Sequence, residues 1–158
     1  MKNKNIVLGS MVGVAIVLQV LESFIPVPLP VPGGKIGLAN IVALIVLVKF
    51  GAKEAVAVTL IRAVLGSLLH GGFVSMIYSV FGGLFSVLTA ICLFKRNRNS
   101  IIGIGIMSAL MHNLAQVIVA VTIMNNIYIV TYYPVLMLVS VPCGALTGYV
   151  SGLVLNKL

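Results

Sequence analysis

Polar and charged side chains that are able to bind a small molecule stand inside apolar stretches of this sequence. Arg62 lies in the middle of one apolar run, and His112, Asn113 and Gln116 lie close together in another. A guanidinium at the centre of a membrane helix costs at least about 2.5–3.5 kcal/mol, so Arg62 is expected to face a partner, a cavity or water. His112 and Gln116 share one face of a helix. These residue types favour hydrogen bonding and ion pairing with a ligand.

The sequence lacks the residues that several kinds of catalysis need. It contains no aspartate and only two glutamates, Glu22 and Glu54, which excludes a carboxylate cluster that holds Mg²⁺ within this chain. No G-x-x-x-x-G-K-[ST] phosphate-binding motif occurs. Two cysteines, Cys92 and Cys143, stand in apolar runs and form neither a disulfide framework nor a metal pattern. We expect no catalytic residues, no cofactor and no metal.

The elements that must position the polar side chains are membrane helices. The chain has 158 residues, of which 61% are hydrophobic and 8% are charged, too few to cover a soluble core. The sequence predicts an all-α, single-domain bundle of six transmembrane helices. The six predicted spans are, to within several residues, about 6–24, 36–50, 54–70, 73–94, 101–124 and 129–155.

The basic residues lie between the apolar runs, where they indicate membrane orientation and not a nucleic-acid partner. With the N-terminus placed inside, only Lys35 falls outside and Arg62 falls within a span. The inner side then holds Lys2, Lys4, Lys49, Lys53, Lys95, Arg96, Arg98 and Lys157. Because cytoplasmic loops carry an excess of Lys and Arg, we expect a multi-pass protein with both termini in the cytoplasm.

On this topology the polar side chains inside the spans gather towards the outer leaflet. The inner half is mostly aliphatic, which argues against a small channel. We therefore expect a solute pocket that opens to the exterior. The predicted substrate-binding residues are Arg62, Lys35, Asn40, Glu22, His70, Tyr78, His112, Asn113 and Gln116.

Other roles for these residues stay open. Arg62 has snorkelling as its alternative. His112, Asn113 and Gln116 have hydrogen bonding between helices as theirs, worth roughly 0.6 kcal/mol per contact. Glu22 has three candidate partners: Lys35, Arg62 or a cationic group of the solute. Lys35 has lipid phosphate as its alternative ligand. The tyrosines at 128, 132 and 133 favour an interfacial belt over a binding site.

The stretch FIPVPLPVPGGKIGLANI, from Phe24 to Ile41, has an unusual composition for a connector. Prolines at 26, 28, 30 and 32 favour a stiff, extended segment, and Gly33-Gly34 allows a turn into the next helix. We expect residues 25–35 to form a lid-like loop over the mouth of the pocket. The alternative is an ordinary interfacial connector.

Several motifs resemble a bacterial membrane family. They are GSMVGVAIVLQVLESFIP, PVPGGKIGLANIVALIVLVKFGAKEAV, LIRAVLGSLLHGG and YSVFGGLFS. The family is heptaprenyl diphosphate synthase component I, or Gx transporter, and it is similar to the S components of energy-coupling factor (ECF) vitamin transporters. The resemblance implies a six-helix S component in the bacterial inner membrane, surrounded by lipid. Its implied partners are a small extracellular solute, a coupling transmembrane subunit and two cytoplasmic ATPases.

The first predicted helix offers a surface for such a partner. Gly9 and Gly13 form a G-x-x-x-G motif, and small residues let another helix approach closely in lipid. The alternative is packing against this chain's own helices. Internal packing is the favoured role for the second glycine ridge, which comprises Gly144, Gly148 and Gly152.

Two functions are therefore carried forward. The first is the substrate-binding S component of an ECF-type importer, whose solute has a negative group and an apolar body. The second is a non-catalytic membrane subunit associated with polyprenyl diphosphate or quinone synthesis. A catalytic role in prenyl transfer is disfavoured, because prenyl diphosphate synthases bind Mg²⁺-diphosphate through aspartate-rich motifs and this chain has no aspartate.

Overall fold

The computed structural model describes residues 2–24, 37–96 and 99–157, apart from the side chains at positions 2, 23 and 70. These residues form six α-helices and no strand, so the all-α prediction is confirmed for the described ranges. The helices are α1 (Lys2–Ser23), α2 (Asn40–Phe50), α3 (Ala52–His70), α4 (Gly72–Lys95), α5 (Ile101–Met124) and α6 (Tyr133–Leu155), with a 3₁₀ helix (Ile127–Tyr132) before α6. The predicted lid, residues 25–35, lies outside the described residues.

Four stretches are long and apolar enough to cross a membrane, which identifies a membrane protein. They are Asn3–Glu22, Gly72–Lys95, Ile101–Met124 and Ile127–Leu155. α2 has only 11 residues, and the 19 residues of α3 include the charged side chains of Lys53, Glu54 and Arg62. A bundle in which all six helices span the membrane therefore stays a prediction.

Local chemistry explains several of the helix ends. Gly51 separates α2 from α3 with a φ of 104°, a backbone conformation that glycine adopts without strain. Ser100 caps α5, because its side chain accepts a hydrogen bond from the Gly103 amide. α6 begins at Tyr133, later than predicted, because the chain first makes the 3₁₀ turn and Pro134 then occupies the first turn of the helix.

α2 is a short helix whose first residues are buried inside the bundle. Lys4 near the start of α1 donates a hydrogen bond to Glu54 near the start of α3, so both helices begin at the same end of the bundle. α2 ends at that end, because only Gly51 separates it from α3. Its 11 residues rise about 16 Å, half the length of the 22-residue α1. Asn40, the first residue of α2, is only 5% exposed.

The core surrounds α2. Its apolar side chains at 42, 44, 46 and 47 pack with buried residues of α1, α3, α4 and α5. Glycines of α6 allow α5 and α6 to pack closely. A Cβ on Gly144 would lie 2.6 Å from Cα of Ile106, and one on Gly148 would lie 2.6 Å from Cα of Ile102. The internal packing predicted for the glycine ridge of α6 is confirmed.

The glycines of α1 behave differently. A Cβ on Gly9 or on Gly13 would meet no atom within 4 Å. Both residues are exposed, so the described helices do not use them for internal packing. The G-x-x-x-G motif therefore remains available to another chain.

Candidate functional site

Arg62 lies near the middle of α3 and its side chain is buried, with 4% of the residue exposed. Its Nη1 donates a hydrogen bond to Oε1 of Gln19 over 3.3 Å, and its Nη2 donates to Oδ1 of Asn40 over 2.9 Å. Its Nε is buried and has no hydrogen-bond partner among the described residues. The guanidinium does not snorkel to the surface, because it connects α1, α2 and α3 inside the bundle.

Gln19 is a member of this cluster that sequence reasoning missed. It is 2% exposed, and its Nε2 donates to Oγ of Ser67 over 3.2 Å and to Oγ of Ser79 over 3.3 Å. Gly66 makes room for it, since a Cβ there would lie 2.9 Å from Cδ of Gln19. The sequence held one sign of this role: Gln19 is a polar amide in an apolar run, one helical turn before Glu22.

Glu22 binds the backbone just before α2. Its two carboxylate oxygens accept hydrogen bonds from the backbone amides of Gly37, over 2.5 Å, and Leu38, over 3.0 Å. A negative charge is favourable there, because the N-terminal end of a helix carries a partial positive charge. Its charge also acts attractively on Arg62. The structure thus gives Glu22 a role that was not among the predicted ones.

A second polar cluster lies on α5. His112, Asn113 and Gln116 are all buried, at 4%, 5% and 1% exposure. Nε2 of His112 lies 3.1 Å from Nε2 of Gln116, and Nδ2 of Asn113 donates to Oγ of Ser140 on α6 over 2.6 Å. The bond from Asn113 is the contact between helices that was kept as an alternative. Oδ1 of Asn113 and Oε1 of Gln116 are buried without a hydrogen-bond partner in the described part of the chain.

Two adjacent glycines of α4 separate the clusters. A Cβ on Gly82 would lie 2.8 Å from Cε1 of His112. A Cβ on Gly83 would lie 2.9 Å from Cγ2 of Thr59 and 3.5 Å from Nη2 of Arg62. Because glycine has no side chain, the imidazole can approach α4 from α5 and the guanidinium can approach it from α3. Both clusters therefore contact α4 at the same two positions.

A family model described as heptaprenyl diphosphate synthase component I matches residues 11–154 of the chain. The chain belongs to the heptaprenyl diphosphate synthase component I family. No curated protein and no solved structure gives a significant match. The part of the chain that the component I model matches includes both polar clusters and the glycines between them, and the resemblance to this family is confirmed.

Among the remaining predicted site residues of this family member, only Tyr78 is described with its side chain. Tyr78 is buried at 3% exposure in an apolar cluster with Val117, Ile129 and Leu136. It is therefore separate from the hydrogen bonds made by Arg62. The side chain of His70 and the whole of Lys35 lie outside the described residues. Tyr128 and Tyr132 are exposed, as an interfacial belt requires.

Several apolar grooves lie on the surface of the described residues, and two of them lie between helices that carry the polar clusters. One, of about 320 Å³, lies between α4 and α5 and includes Phe81 and Phe85. The other, of about 310 Å³, lies between α1 and α3 beside Gly9. Within residues 2–24, 37–96 and 99–157, no group of three His, Cys, Asp or Glu side chains is placed to hold a metal ion. The polar clusters offer hydrogen-bond donors and acceptors and one buried cation.

Proposed function

We propose that this chain is the solute-binding S component of an ECF-type importer in the bacterial inner membrane, with both termini in the cytoplasm. It captures a small extracellular solute inside the bundle, beside Arg62 and the polar face of α5. A coupling transmembrane subunit and two cytoplasmic ATPases would supply the energy, and the chain itself has no P-loop motif.

The observation that carries this proposal is a set of buried polar atoms that lack hydrogen-bond partners among the described residues. They are Oγ1 of Thr59, Nε of Arg62, Oγ of Ser108, Oδ1 of Asn113 and Oε1 of Gln116. Leaving such a group unpaired costs about 1–3 kcal/mol, and more when the group is charged. A polar solute bound beside these residues of α3 and α5 would satisfy several of them at once.

The polar residues of α1 and α2 lie at the end of the bundle where an outward-opening site is expected. Gln19 and Glu22 lie in the last turns of α1, and Asn40 lies at the buried start of α2. The end of the bundle at which α3 begins instead carries the pair Lys4–Glu54 and the apolar core around α2. A site that is closed at this end and opens at the other would suit capture of an external solute.

A second function is supported by the family description. Its wording names one component of a heptaprenyl diphosphate synthase. The chain would then be a non-catalytic membrane subunit, because diphosphate binding through Mg²⁺ needs carboxylates that it lacks. Such a subunit would act only together with a soluble, aspartate-rich synthase.

One pair of measurements separates the two functions. The purified chain is analysed by mass spectrometry for small molecules that co-purify in detergent, and each molecule found is tested for binding. Prenyl transfer by soluble synthases from the same genome is measured with and without the chain. A bound solute and no effect on prenyl transfer support the importer. Stimulated prenyl transfer without any bound solute would overturn it and support the synthase subunit.

A further inference from the structure

We propose that Arg62 binds a singly charged oxyanion of the solute, a carboxylate, beside the buried start of α2. This inference rests on the proposed function, since it names the chemical class of the solute that the site would take. It depends on the charges around Arg62, on the Nε of its guanidinium that has no described partner and on the position of α2.

No carboxylate is among the hydrogen-bond partners of Arg62 in the described part of the chain. The chain has only two acidic side chains. Glu54 bonds to Lys4 at the end of the bundle, and Glu22 bonds to the backbone amides of Gly37 and Leu38. The hydrogen bonds that Arg62 makes go to the neutral amide oxygens of Gln19 and Asn40. A buried cation in such surroundings favours an anionic partner, because a buried charge is costly unless it is paired.

The guanidinium has one N–H donor, at Nε, that is left for that partner. Its Nε is buried and bonds to no described residue, whereas both terminal nitrogens are oriented by amide oxygens. A guanidinium edge presents parallel N–H donors that match the two oxygens of a carboxylate. Thr59 lies one turn earlier on the same face of α3, and its buried Oγ1 also has no described partner. Its hydroxyl adds a neutral donor beside the charged ones.

The start of α2 strengthens the preference for an anion. Asn40 is the first residue of α2, and its Oδ1 accepts a hydrogen bond from Nη2 of Arg62, so the guanidinium lies at this helix end. The N-terminal end of a helix carries a partial positive charge, and its field is strong away from water. The positive charge of Arg62 and the partial positive charge at the start of α2 therefore act together on a group bound between them.

Glu22 limits the charge that the site accepts. Its carboxylate holds the residues just before α2, and its charge already acts on Arg62. One positive side chain would leave the second charge of a dianion unpaired in a buried place, and Glu22 would add repulsion to it. The structure thus favours a carboxylate over a phosphate dianion.

The test uses the full-length chain in detergent and begins with the solute that co-purifies. The probes are monocarboxylic acids with apolar bodies, each paired with its neutral primary amide and with the phosphate monoester of the same body. Dissociation constants are measured for the wild type and for Arg62→Gln. We expect an acid to bind, its amide and its phosphate ester to bind more weakly, and Arg62→Gln to weaken the acid roughly 10–100-fold while leaving the amide unchanged.

If Arg62→Gln does not fold, two other measurements test the inference. They are the binding of the acid by Thr59→Val and the ratio of the dissociation constants of acid and amide for the wild type. Thr59→Val should weaken the acid, and Thr89→Val is its control, because the Thr89 hydroxyl bonds to the Phe85 carbonyl of its own helix. A neutral or cationic co-purifying solute, or equal binding of acid and amide, overturns the inference and leaves the importer standing. If the phosphate ester binds as tightly as the acid, the claim that the site accepts only a singly charged group is overturned. Absence of any bound solute overturns the proposed function itself.

Discussion

Nη2 of Arg62 and Oδ1 of Asn40 lie 2.9 Å apart and join the middle of α3 to the first residue of α2. This bond holds the end of a short helix that is buried inside the bundle. A cation that would be costly alone in an apolar interior is thereby oriented by an amide oxygen. The same contact brings the partial positive end of α2 next to the guanidinium.

Asn40→Leu should destabilise the protein. The substitution leaves Nη2 of Arg62 without its amide acceptor in a buried place, so we expect a loss of about 1–3 kcal/mol in the free energy of unfolding. Thermal denaturation in detergent measures it. Asn5→Leu is the control, because Asn5 is exposed on α1. Equal melting temperatures for the two variants would show that the bond does not contribute to stability.

Gly82→Ala should disturb the packing of α4 against α5. A Cβ at this position would lie 2.8 Å from Cε1 of His112, and the buried ring has little room to move. Forced packing of this kind costs typically about 1–3 kcal/mol, which a lower melting temperature would report. Gly9→Ala provides the comparison, since nothing lies within 4 Å of its added Cβ. The close approach of Gly82 and His112 would be disproved by a Gly82→Ala variant as stable as Gly9→Ala.

Gly13→Leu should weaken assembly with a coupling subunit but not stability. The position is exposed and an added Cβ meets no described atom within 4 Å, so we expect the folded chain to tolerate the substitution. A partner helix packed closely on the glycines would be pushed away. Co-purification of the two subunits measures the effect, with Val14→Leu on a neighbouring face as the control. Unchanged co-purification for Gly13→Leu would remove α1 as the interface.

The number of membrane crossings can be tested at Lys53. In a six-span chain the turn between α2 and α3 lies on the same side as the N-terminus, as the bond between Lys4 and Glu54 leads us to expect. If only the four long apolar stretches crossed, that turn would lie on the opposite side. We predict that Lys53→Cys, in a chain lacking Cys92 and Cys143, reacts only with membrane-permeant thiol reagents. Labelling of intact cells by an impermeant reagent would refute six spans with a cytoplasmic N-terminus.

Much of the architecture followed from the sequence because it depends on local and solvation effects. Long apolar runs with few charges predict helices and a membrane, and the four longest stretches meet that expectation. The burial of Arg62 was predictable for the same reason, since a guanidinium in such a run needs a partner. The glycine ridge of α6 was also correctly assigned to internal packing.

The partners of the buried side chains were not predictable in this way. Gln19 looked like one polar residue in an apolar helix, but it bonds to Arg62, Ser67 and Ser79 on two other helices. Glu22 was expected to meet a charged group, and its bonds to the backbone amides before α2 were not foreseen. These contacts join residues that are 15 to 60 positions apart in the chain.

By itself, then, the amino-acid sequence determined that this chain is helical, apolar, poor in carboxylates and obliged to bury at least one cation. Only the tertiary structure decided that α2 begins inside the bundle, and that two glycines of α4 separate Arg62 from His112. The physical reason is the range of the forces. Hydrophobicity acts on each segment alone, whereas hydrogen bonds and steric fit depend on which helices pack together.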